Sequence, residues 1–309
     1  MARLAHSPDD NHRRSGPDSD RGFRSPRHHA ATAAKPGHDF SPAVIALLAE
    51  IDTATICLDM AEQAARAIHR DVAAVHVGVD PTTLIASAEE IDIQWLRQKR
   101  EGPVRERFAR IAAEFDRWKS LKTGRSHVNY HERAGDIREA LESQECRDAD
   151  LLVIAHPGNM DAGDALHSAI FDSKKLVMVS PRQPRETFVL DHVVVGWKPH
   201  ENAYHTIDAS RRWLEAANRL TIICVNDWEH EYARTAQELF SSFSIRADIR
   251  PVLSGDLTVG RCLLNYAEDL GASCLTIGAY RHSPFVELLL GRVTRYMLAN
   301  ASIPILMKH

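Results

Sequence analysis

The chain has 309 residues, 44% of them hydrophobic, and a formal net charge of −4. This length is enough for two compact domains, and the small net charge excludes a global field that would favour nucleic acid or an acidic membrane surface. No apolar run approaches the ~20 residues that a membrane span needs, and the first residues lack the apolar core of a signal peptide. We therefore expect a cytoplasmic protein that contacts neither nucleic acid nor a membrane.

The first 38 residues differ in composition from the rest of the chain. They are rich in Ser, Pro, Gly, Asp, Arg and His, and Leu4 and Phe23 are almost their only large apolar residues. Such a segment cannot bury enough surface to offset the entropy lost on ordering. We predict that residues 1–38 are a disordered tail. Its six Arg and one Lys, set against four Asp, give it a formal charge of +3, and its histidines leave a metal site or a nucleic-acid arm as the alternative.

From Phe40 onward, short apolar segments alternate with helical ones, which is the pattern of a parallel sheet covered by helices. The first half predicts strands near 43–49, 72–79, 126–132, 151–155 and 175–180. It predicts helices near 54–69, 85–118, 136–146 and 163–172, the second interrupted at Gly102-Pro103.

Residues 181–190 carry two prolines and predict a linker. The second half predicts strands near 192–197, 219–226, 245–252, 273–278 and 303–307, with helices near 202–217, 229–242, 257–270 and 285–300. The order of elements is therefore the same in both halves. Gly135-Asp136-Ile137 and Gly255-Asp256-Leu257 each open a helix that leads to the fourth strand of their half, so we interpret the repeat as a duplicated domain.

The five cysteines are odd in number and form no C-x-x-C pair. Most of them lie in apolar segments, which is typical of reduced, buried thiols and not of a metal or redox site. The sequence also lacks a phosphate loop, a nucleophile elbow and an H-E-x-x-H motif. We therefore name no catalytic residue and no metal ligand, and expect a protein that is not an enzyme.

The end of the chain carries the most specific pattern. Gly278 follows an apolar strand, and Gly291 precedes an amphipathic helix over 293–299, which is how α/β folds bring backbone N–H groups to a phosphate. The spacing resembles the Gly-x2-Gly-x9-Gly-Ser/Thr signature of the universal stress protein (UspA) family. Arg281 stands at the second glycine of that signature, and Arg292 at its hydroxyl residue.

The whole of residues 40–309 resembles a tandem universal stress protein. The strand at 193–197 and the closing Ile-Pro-Ile-Leu-Met segment at 303–307 add to the likeness. The resemblance implies an α/β fold with two doubly wound, five-stranded parallel sheets of strand order 3-2-1-4-5, like the adenine nucleotide alpha hydrolases. The domains would span 39–181 and 191–309, with a linker over 182–190. Family members commonly dimerise through the last strand, so we expect the strands near 175–180 and 303–307 to meet as an internal pseudo-dimer, and a homodimer stays open.

In this fold, ligands bind where the strand order reverses. In the second half, that crevice would lie between 198–202 and 278–294 with the end of the second strand beneath. The tentative anion- or nucleotide-binding residues are Lys198, Val225, Gly278, Arg281, Gly291, Arg292 and Thr294. The resemblance implies ATP or another adenine nucleotide, but Lys198 stands where ATP-binding members have an acidic residue. His200, His205 and His282 also fall near this crevice and are interpreted as surface or helix-end residues.

The first half departs further from the signature. Ala155 replaces the first glycine, Gly158 keeps the second, and Ser168-Ala169 replace the terminal pair, while Asp52 offers a carboxylate near the end of the first strand. We expect this half to be mainly structural. The leading hypothesis is a universal stress protein that acts in stress response by binding a small anionic ligand or a protein partner. The alternatives are a protein that binds or slowly hydrolyses ATP, and a scaffold whose crevice its own side chains fill.

Overall fold

The computed structural model describes residues 43–309 except 83–84, 86, 126, 157–159, 184–189 and 280–290. The predicted tail over 1–38, Gly158, Arg281, His282 and most of the predicted linker therefore lie outside the described residues. The domain boundary placed within 182–190 stays a prediction.

Ten strands are present in the described residues, five in each half. The first half contains β1 (Val44–Leu48), β2 (Val72–Gly78), β3 (Asn129–Ala134), β4 (Leu151–Ala155) and β5 (Leu176–Ser180). The second half contains β6 (His192–Gly196), β7 (Arg219–Val225), β8 (Asp248–Val252), β9 (Cys274–Gly278) and β10 (Ile305–Lys308). The central strands are buried along almost their whole length, so their near-continuous Val, Ile and Leu composition is that of strands covered on both faces.

Helices separate most of these strands. The first half contains α1 (Ile51–Ala67), α2 (Ala88–Glu101), α3 (Val104–Ser120), α4 (Ile137–Leu141), α5 (Gln144–Asp148) and α6 (Met160–Phe171). The second half contains α7 (Glu201–Glu215), α8 (Glu231–Ser242), α9 (Val259–Asp269) and α10 (Arg292–Asn300). The expected interruption at Gly102-Pro103 is confirmed, since Gly102 has a φ of 89° and Pro103 is the N-cap of α3.

The helix predicted as one element over 136–146 is two short helices, which corrects that prediction. α4 ends before Glu142, and the Ser143 hydroxyl accepts a hydrogen bond from the backbone N–H of Cys146 at the start of α5. A serine at this position satisfies a free N–H of a new helix, so the chain restarts instead of continuing. The predicted strand near 126–132 also lies a few residues later, as β3.

The predicted fold class is confirmed, with one continuous sheet instead of two separate ones. The strand order is β3-β2-β1-β4-β5-β10-β9-β6-β7-β8, so each half has the order 3-2-1-4-5. All pairs within a half are parallel, and β5 pairs with β10 antiparallel through Val177–Met307, Met178–Leu306 and Val179–Ile305. The two closing strands therefore meet as expected, and each covers the edge that the other would expose.

Helices cover both faces of this sheet. One face packs on α1, α3, α7 and α8, and the other on α4, α5, α6, α9 and α10. Alternate residues of each strand point to opposite faces, as Val193 and Val194 do in β6. The result is a three-layer architecture that positions the carboxyl ends of β6, β7 and β9 along one edge of the second half.

Side chains also join the two halves across the junction. The Trp213 indole N–H donates to the Ala64 carbonyl at 3.0 Å, and Trp213 is 1% exposed. At the surface, Arg212 forms an ion pair with Asp150 at 2.8 Å. A buried hydrogen bond and a shared sheet both hold the halves in one arrangement.

The five cysteines are free and buried. Burial raises the pKa of the Cys57, Cys224 and Cys274 thiols to about 12, which disfavours the reactive thiolate at neutral pH. Among the described residues, no group of three His, Cys, Asp or Glu is placed to hold a metal ion. In the same part of the chain, no helix is long and apolar enough to cross a membrane.

Candidate functional site

A cavity of about 460 Å³ lies in the second half, at the carboxyl ends of β6, β7 and β9. The strand order reverses here, because β6 pairs with β7 on one side and with β9 on the other. Ligands of doubly wound sheets bind at such a point, and the volume is within the range of small-molecule sites. The cavity is therefore our candidate ligand-binding crevice.

Apolar side chains form most of the wall of this crevice. They come from both faces of the sheet and from α8, α9 and α10: Trp197, Ile223, Val225, Tyr232, Val259, Leu263, Ile277 and Val293. The polar side chains are fewer, and they are Lys198, His200, Asn226 and Thr294. Among the described lining residues there is no carboxylate. Such a site suits a ligand that is mostly apolar and carries a small polar or anionic group.

The structure brings five of the seven predicted site residues to this cavity. Lys198, Val225, Gly278, Gly291 and Thr294 all line it. The other two predicted residues are Arg281 and Arg292. Arg292 is the exposed first residue of α10 and is not among the lining residues, and Arg281 lies outside the described residues.

The start of α10 is the most distinctive polar feature of the crevice. Gly291 is the N-cap of this helix, and Thr294 is in its first turn. Thr294 is fully buried, and its Oγ1 has no hydrogen-bond partner among the described residues. A buried hydroxyl without a partner costs free energy, and the first turn of a helix favours an anion through its dipole and its free N–H groups. Both features therefore favour an anionic group at this end of the crevice.

Gly278 has a structural role that is independent of any ligand. A Cβ atom at this position would lie 3.1 Å from the backbone nitrogen of Ala203 and 3.2 Å from its Cα. Backbone atoms cannot move aside as the end of a flexible side chain can, so glycine allows α7 to approach β9. The first glycine of the signature is thus explained by helix packing.

The loop between β6 and α7 shapes the wall beside Lys198. His200 is the N-cap of α7, and its Nδ1 accepts a hydrogen bond from the Asn202 backbone N–H at 3.3 Å. The Asn202 side chain donates to the Ala279 carbonyl at 2.6 Å, which ties this loop to the end of β9. His200 is therefore a helix-end histidine, as expected, and it lines the cavity. His205 is exposed on α7, and His282 lies outside the described residues.

Sequence reasoning missed the residues that α8, α9 and the loop after β7 contribute. Asn226, Tyr232 and Val259 line the cavity, and Asn226 directly follows β7. Its position just after the second strand of the half was the available signal, since carboxyl-end residues share one edge of a parallel sheet. Tyr232 and Val259 had no comparable signal, because they reach the cavity from helices that start several residues beyond their strands.

The carboxyl ends of β1 and β2 in the first half are closed by charged side chains. Only a cavity of about 90 Å³ lies there. The Arg97 guanidinium contacts the Glu101 carboxylate at 3.0 Å and donates to the Ala49 carbonyl at 3.3 Å. Arg107 donates to the Val79 carbonyl at 2.8 Å. Both arginine side chains are almost fully buried, so α2 and α3 fill this edge of the first half with their own side chains.

The predicted motif positions of the first half are corrected by its loop length. Ser168 and Ala169 lie deep within α6, not at its start. Only residues 156–159 separate β4 from α6, whereas residues 279–291 separate β9 from α10. The spacing of the glycine signature, counted from the end of β4, therefore reaches residues in the interior of α6. Asp52 is exposed near the start of α1 and lines the small cavity.

The repeated 3-2-1-4-5 order, with a crevice at the reversal point of the second half, defines a doubly wound α/β protein. Solved structures extend this description. The chain is similar to a universal stress protein from Archaeoglobus fulgidus DSM 4304, at 15% identity and a TM-score of 0.56, over 86% of this chain and 95% of that one.

Two further structures resemble it to the same degree. One is a putative universal stress protein from Pseudomonas aeruginosa UCBPP-PA14, at 12% identity and a TM-score of 0.55, over 86% of this chain and 92% of that one. The other is a functionally unknown protein from Pseudomonas aeruginosa PAO1, at 12% identity and a TM-score of 0.55, over 87% and 92%. No protein-family model matches the sequence, and no curated protein does. The chain therefore has the universal stress protein fold, which agrees with the resemblance of its glycine pattern.

Proposed function

We propose that this chain is a tandem universal stress protein that binds a small anionic ligand, without a metal ion, in the crevice of its second half. The observation that carries the proposal is Thr294, a residue that lines the cavity at the start of α10 and whose buried hydroxyl lacks a partner among the described residues. A phosphate or carboxylate oxygen there would accept from this hydroxyl and from the free N–H groups of the helix.

The charge at the crevice supports an anion that needs no metal. Lys198 lines the cavity, and an ammonium group attracts phosphate as a point charge. The described lining residues include no carboxylate that could share a Mg²⁺ ion with a polyphosphate. Adenine nucleotides remain the class that the family resemblance implies, and the apolar walls are suited to a base.

The wider function rests on the fold and on the asymmetry of the halves. A first half whose carboxyl edge is filled by Arg97, Glu101 and Arg107 supports a structural role for that half. We propose that the chain acts in stress response by binding, without turnover, and passes the state of the crevice to a protein partner. The fold likeness and the crevice at the reversal point of the second half support this proposal.

The test uses the full chain and two matched substitutions. Thr294→Val keeps the shape of the side chain and removes the hydroxyl. Thr276→Val is the control, because Thr276 is equally buried, its Oγ1 also lacks a partner among the described residues, and it is not a lining residue. Native mass spectrometry of freshly purified protein first shows whether an anion is retained.

Isothermal titration with phosphate, AMP and ATP, each with and without Mg²⁺, then measures binding. We expect Thr294→Val to weaken binding by about tenfold or more, as loss of a hydrogen bond to a charged group does, and Thr276→Val to leave it unchanged. Lys198→Met should weaken binding and reduce its dependence on salt, while the same substitution at the exposed Lys99 of α2 should not. Tight binding of ATP that requires Mg²⁺, or equal affinities in the wild type and Thr294→Val, would contradict the proposal.

A further inference from the structure

A patch of exposed apolar side chains borders the crevice of the second half. Trp228 is 72% exposed, Leu253 55%, Val259 40% and Leu257 37%; we call these four residues the rim patch. They are four of the nine large apolar side chains that are exposed among the described residues. Single exposed apolar residues are ordinary, but a group of them beside a cavity marks a binding surface.

The two loops that carry the rim patch are fixed to each other. The Asn226 side-chain amide donates to the Ser254 hydroxyl at 3.1 Å, and the Ser254 backbone N–H donates to Asn226 Oδ1 at 2.9 Å. The Asn226 backbone N–H also donates to the Val252 carbonyl at 2.8 Å. These hydrogen bonds join the start of the β7–α8 loop to the start of the β8–α9 loop.

The residue next to Trp228 holds the β7–α8 loop against α8. Asp227 is 5% exposed, and its carboxylate accepts hydrogen bonds from the backbone N–H groups of Tyr232 at 3.0 Å and Ala233 at 2.8 Å. The loop is thus fixed at both ends, and Trp228 is presented to solvent by an ordered backbone. A large aromatic side chain held in this way loses little entropy on binding.

The rim patch meets the crevice at Val259. Asn226 and Tyr232, which lie on either side of Trp228 in the chain, both line the cavity. Val259 belongs to both surfaces, since it lines the cavity and is 40% exposed. The other rim residues lie on the two hydrogen-bonded loops, so they are the exposed apolar side chains nearest in sequence to these lining residues.

We propose that the ligand of the crevice is an amphiphile with one anionic head and a flexible apolar chain. The head, a phosphate or a carboxylate, binds at Lys198 and at the start of α10 beside Thr294, and the chain leaves the cavity past Val259 and lies on Trp228. This inference rests on the proposed function and adds the chemical class of the ligand. The mainly apolar wall and the lack of a lining carboxylate among the described residues fit this class better than a metal-bound polyphosphate.

The test compares n-alkyl phosphates of increasing length on the full chain, with decanoate to distinguish a carboxylate head from a phosphate head. Burial of one methylene group raises affinity roughly fourfold. We therefore expect decyl phosphate to bind at least about 250-fold more tightly than ethyl phosphate, which corresponds to burial of four or more of the extra methylene groups.

Two tryptophan variants separate the rim patch from general adsorption. Trp228→Ala should weaken decyl phosphate about tenfold and leave ethyl phosphate unchanged. Trp95→Ala is the control, because Trp95 is 46% exposed on α2 in the first half, and it should change neither affinity. Thr294→Val should weaken both phosphates by the same factor. Unchanged melting temperatures would show that the variants are folded.

The possible results lead to different conclusions. If neither the phosphates nor decanoate bind, the proposed function fails and the inference fails with it. If ethyl phosphate binds and Thr294→Val weakens it, but chain length or Trp228→Ala has no effect, the inference is overturned and the proposed function stands. Equal losses in Trp228→Ala and Trp95→Ala would overturn it as nonspecific adsorption. A change in oligomeric state in Trp228→Ala without any dependence on chain length would assign the patch to a protein contact, which also overturns it.

Discussion

His76 should make the stability of this protein sensitive to mild acid. The side chain lies in β2 and is 1% exposed, and its Nδ1 is 2.6 Å from the Leu48 carbonyl oxygen. Because a carbonyl only accepts, Nδ1 carries the proton and Nε2 is unprotonated in the neutral ring. The ring also packs edge-on against Phe108 at 5.2 Å, so a proton on Nε2 would place a charge in an enclosed, mainly apolar position.

Burial lowers the pKa of His76 from 6.5 to about 4, and the positive charges of Arg97 and Arg107 act in the same direction, while the Leu48 hydrogen bond and Glu101 oppose it. A folded-state pKa below the unfolded value means that the neutral form stabilises the fold. Its contribution is fully present above about pH 6.5 and is lost as the pH falls towards 4. At about 1.4 kcal/mol per pKa unit, the loss amounts to about 3 kcal/mol.

The assay is urea unfolding of the full chain at several pH values between 7 and 4. His76→Asn keeps a donor near the Leu48 carbonyl and cannot be protonated, and His205→Asn, on the exposed surface of α7, is the control. The wild type should lose about 3 kcal/mol more than His76→Asn over this range, while His205→Asn follows the wild type. Groups that are common to the compared proteins contribute equally and cancel in the comparison. Parallel curves for the wild type and His76→Asn would refute the reasoning.

Two further substitutions test the packing of the second half. Gly278→Ala places a Cβ atom 3.1 Å from the backbone of α7, so it should lower the unfolding free energy by about 1–3 kcal/mol. Gly271→Ala is the control for backbone strain, because Gly271 has a φ of 64° but a Cβ atom there would meet no atom within 4 Å. Trp213→Phe removes the buried donor to the Ala64 carbonyl and should cost about 1–3 kcal/mol, measured by the same urea titration. A loss from Gly278→Ala no larger than from Gly271→Ala, or an unchanged midpoint in Trp213→Phe, would count against these assignments.

The sheet could be predicted from the sequence because its strands are short, apolar and separated by helical segments of regular length. The closing strands were the clearest case. Val177, Met178 and Val179 are apolar on both faces, which is unusual for an edge strand exposed to solvent. That composition predicts a partner on the outer side of the strand, and the resemblance to universal stress proteins implied that this partner is β10.

Two predictions failed because the position of a helix boundary was misjudged. The segment 136–146 contains no glycine or proline that would mark an interruption, but Ser143 satisfies the first turn of a new helix and divides the segment. In the first half, the expected position of Ser168 assumed a loop of family length. The signature spacing cannot show that the loop between β4 and α6 is shorter, because no residue in the sequence marks where α6 begins.

The crevice was predictable only in part, for a geometric reason. Lys198, Gly278 and Gly291 directly follow strands or precede a helix, so the topology alone places them at one edge of the sheet. Val259 reaches the same cavity from α9, and its direction depends on how that helix packs on the sheet. Helix packing angles vary continuously by many degrees, so the sequence pattern does not specify which helical side chains complete the wall.

The shared sheet explains why the two halves can differ so much at their carboxyl edges. β10 borders β9, which carries Gly278 at its end, and is held by β5 on its other side. The Lys308 backbone N–H also donates to the Thr206 hydroxyl of α7 at 3.2 Å, so β10 joins β5 of the first half to a helix of the second. The first half therefore needs to retain only its sheet and its closing strand. The first half pairs with the second through β5 and not through the carboxyl ends of its strands. Arg97, Arg107 and Glu101 can therefore fill that edge.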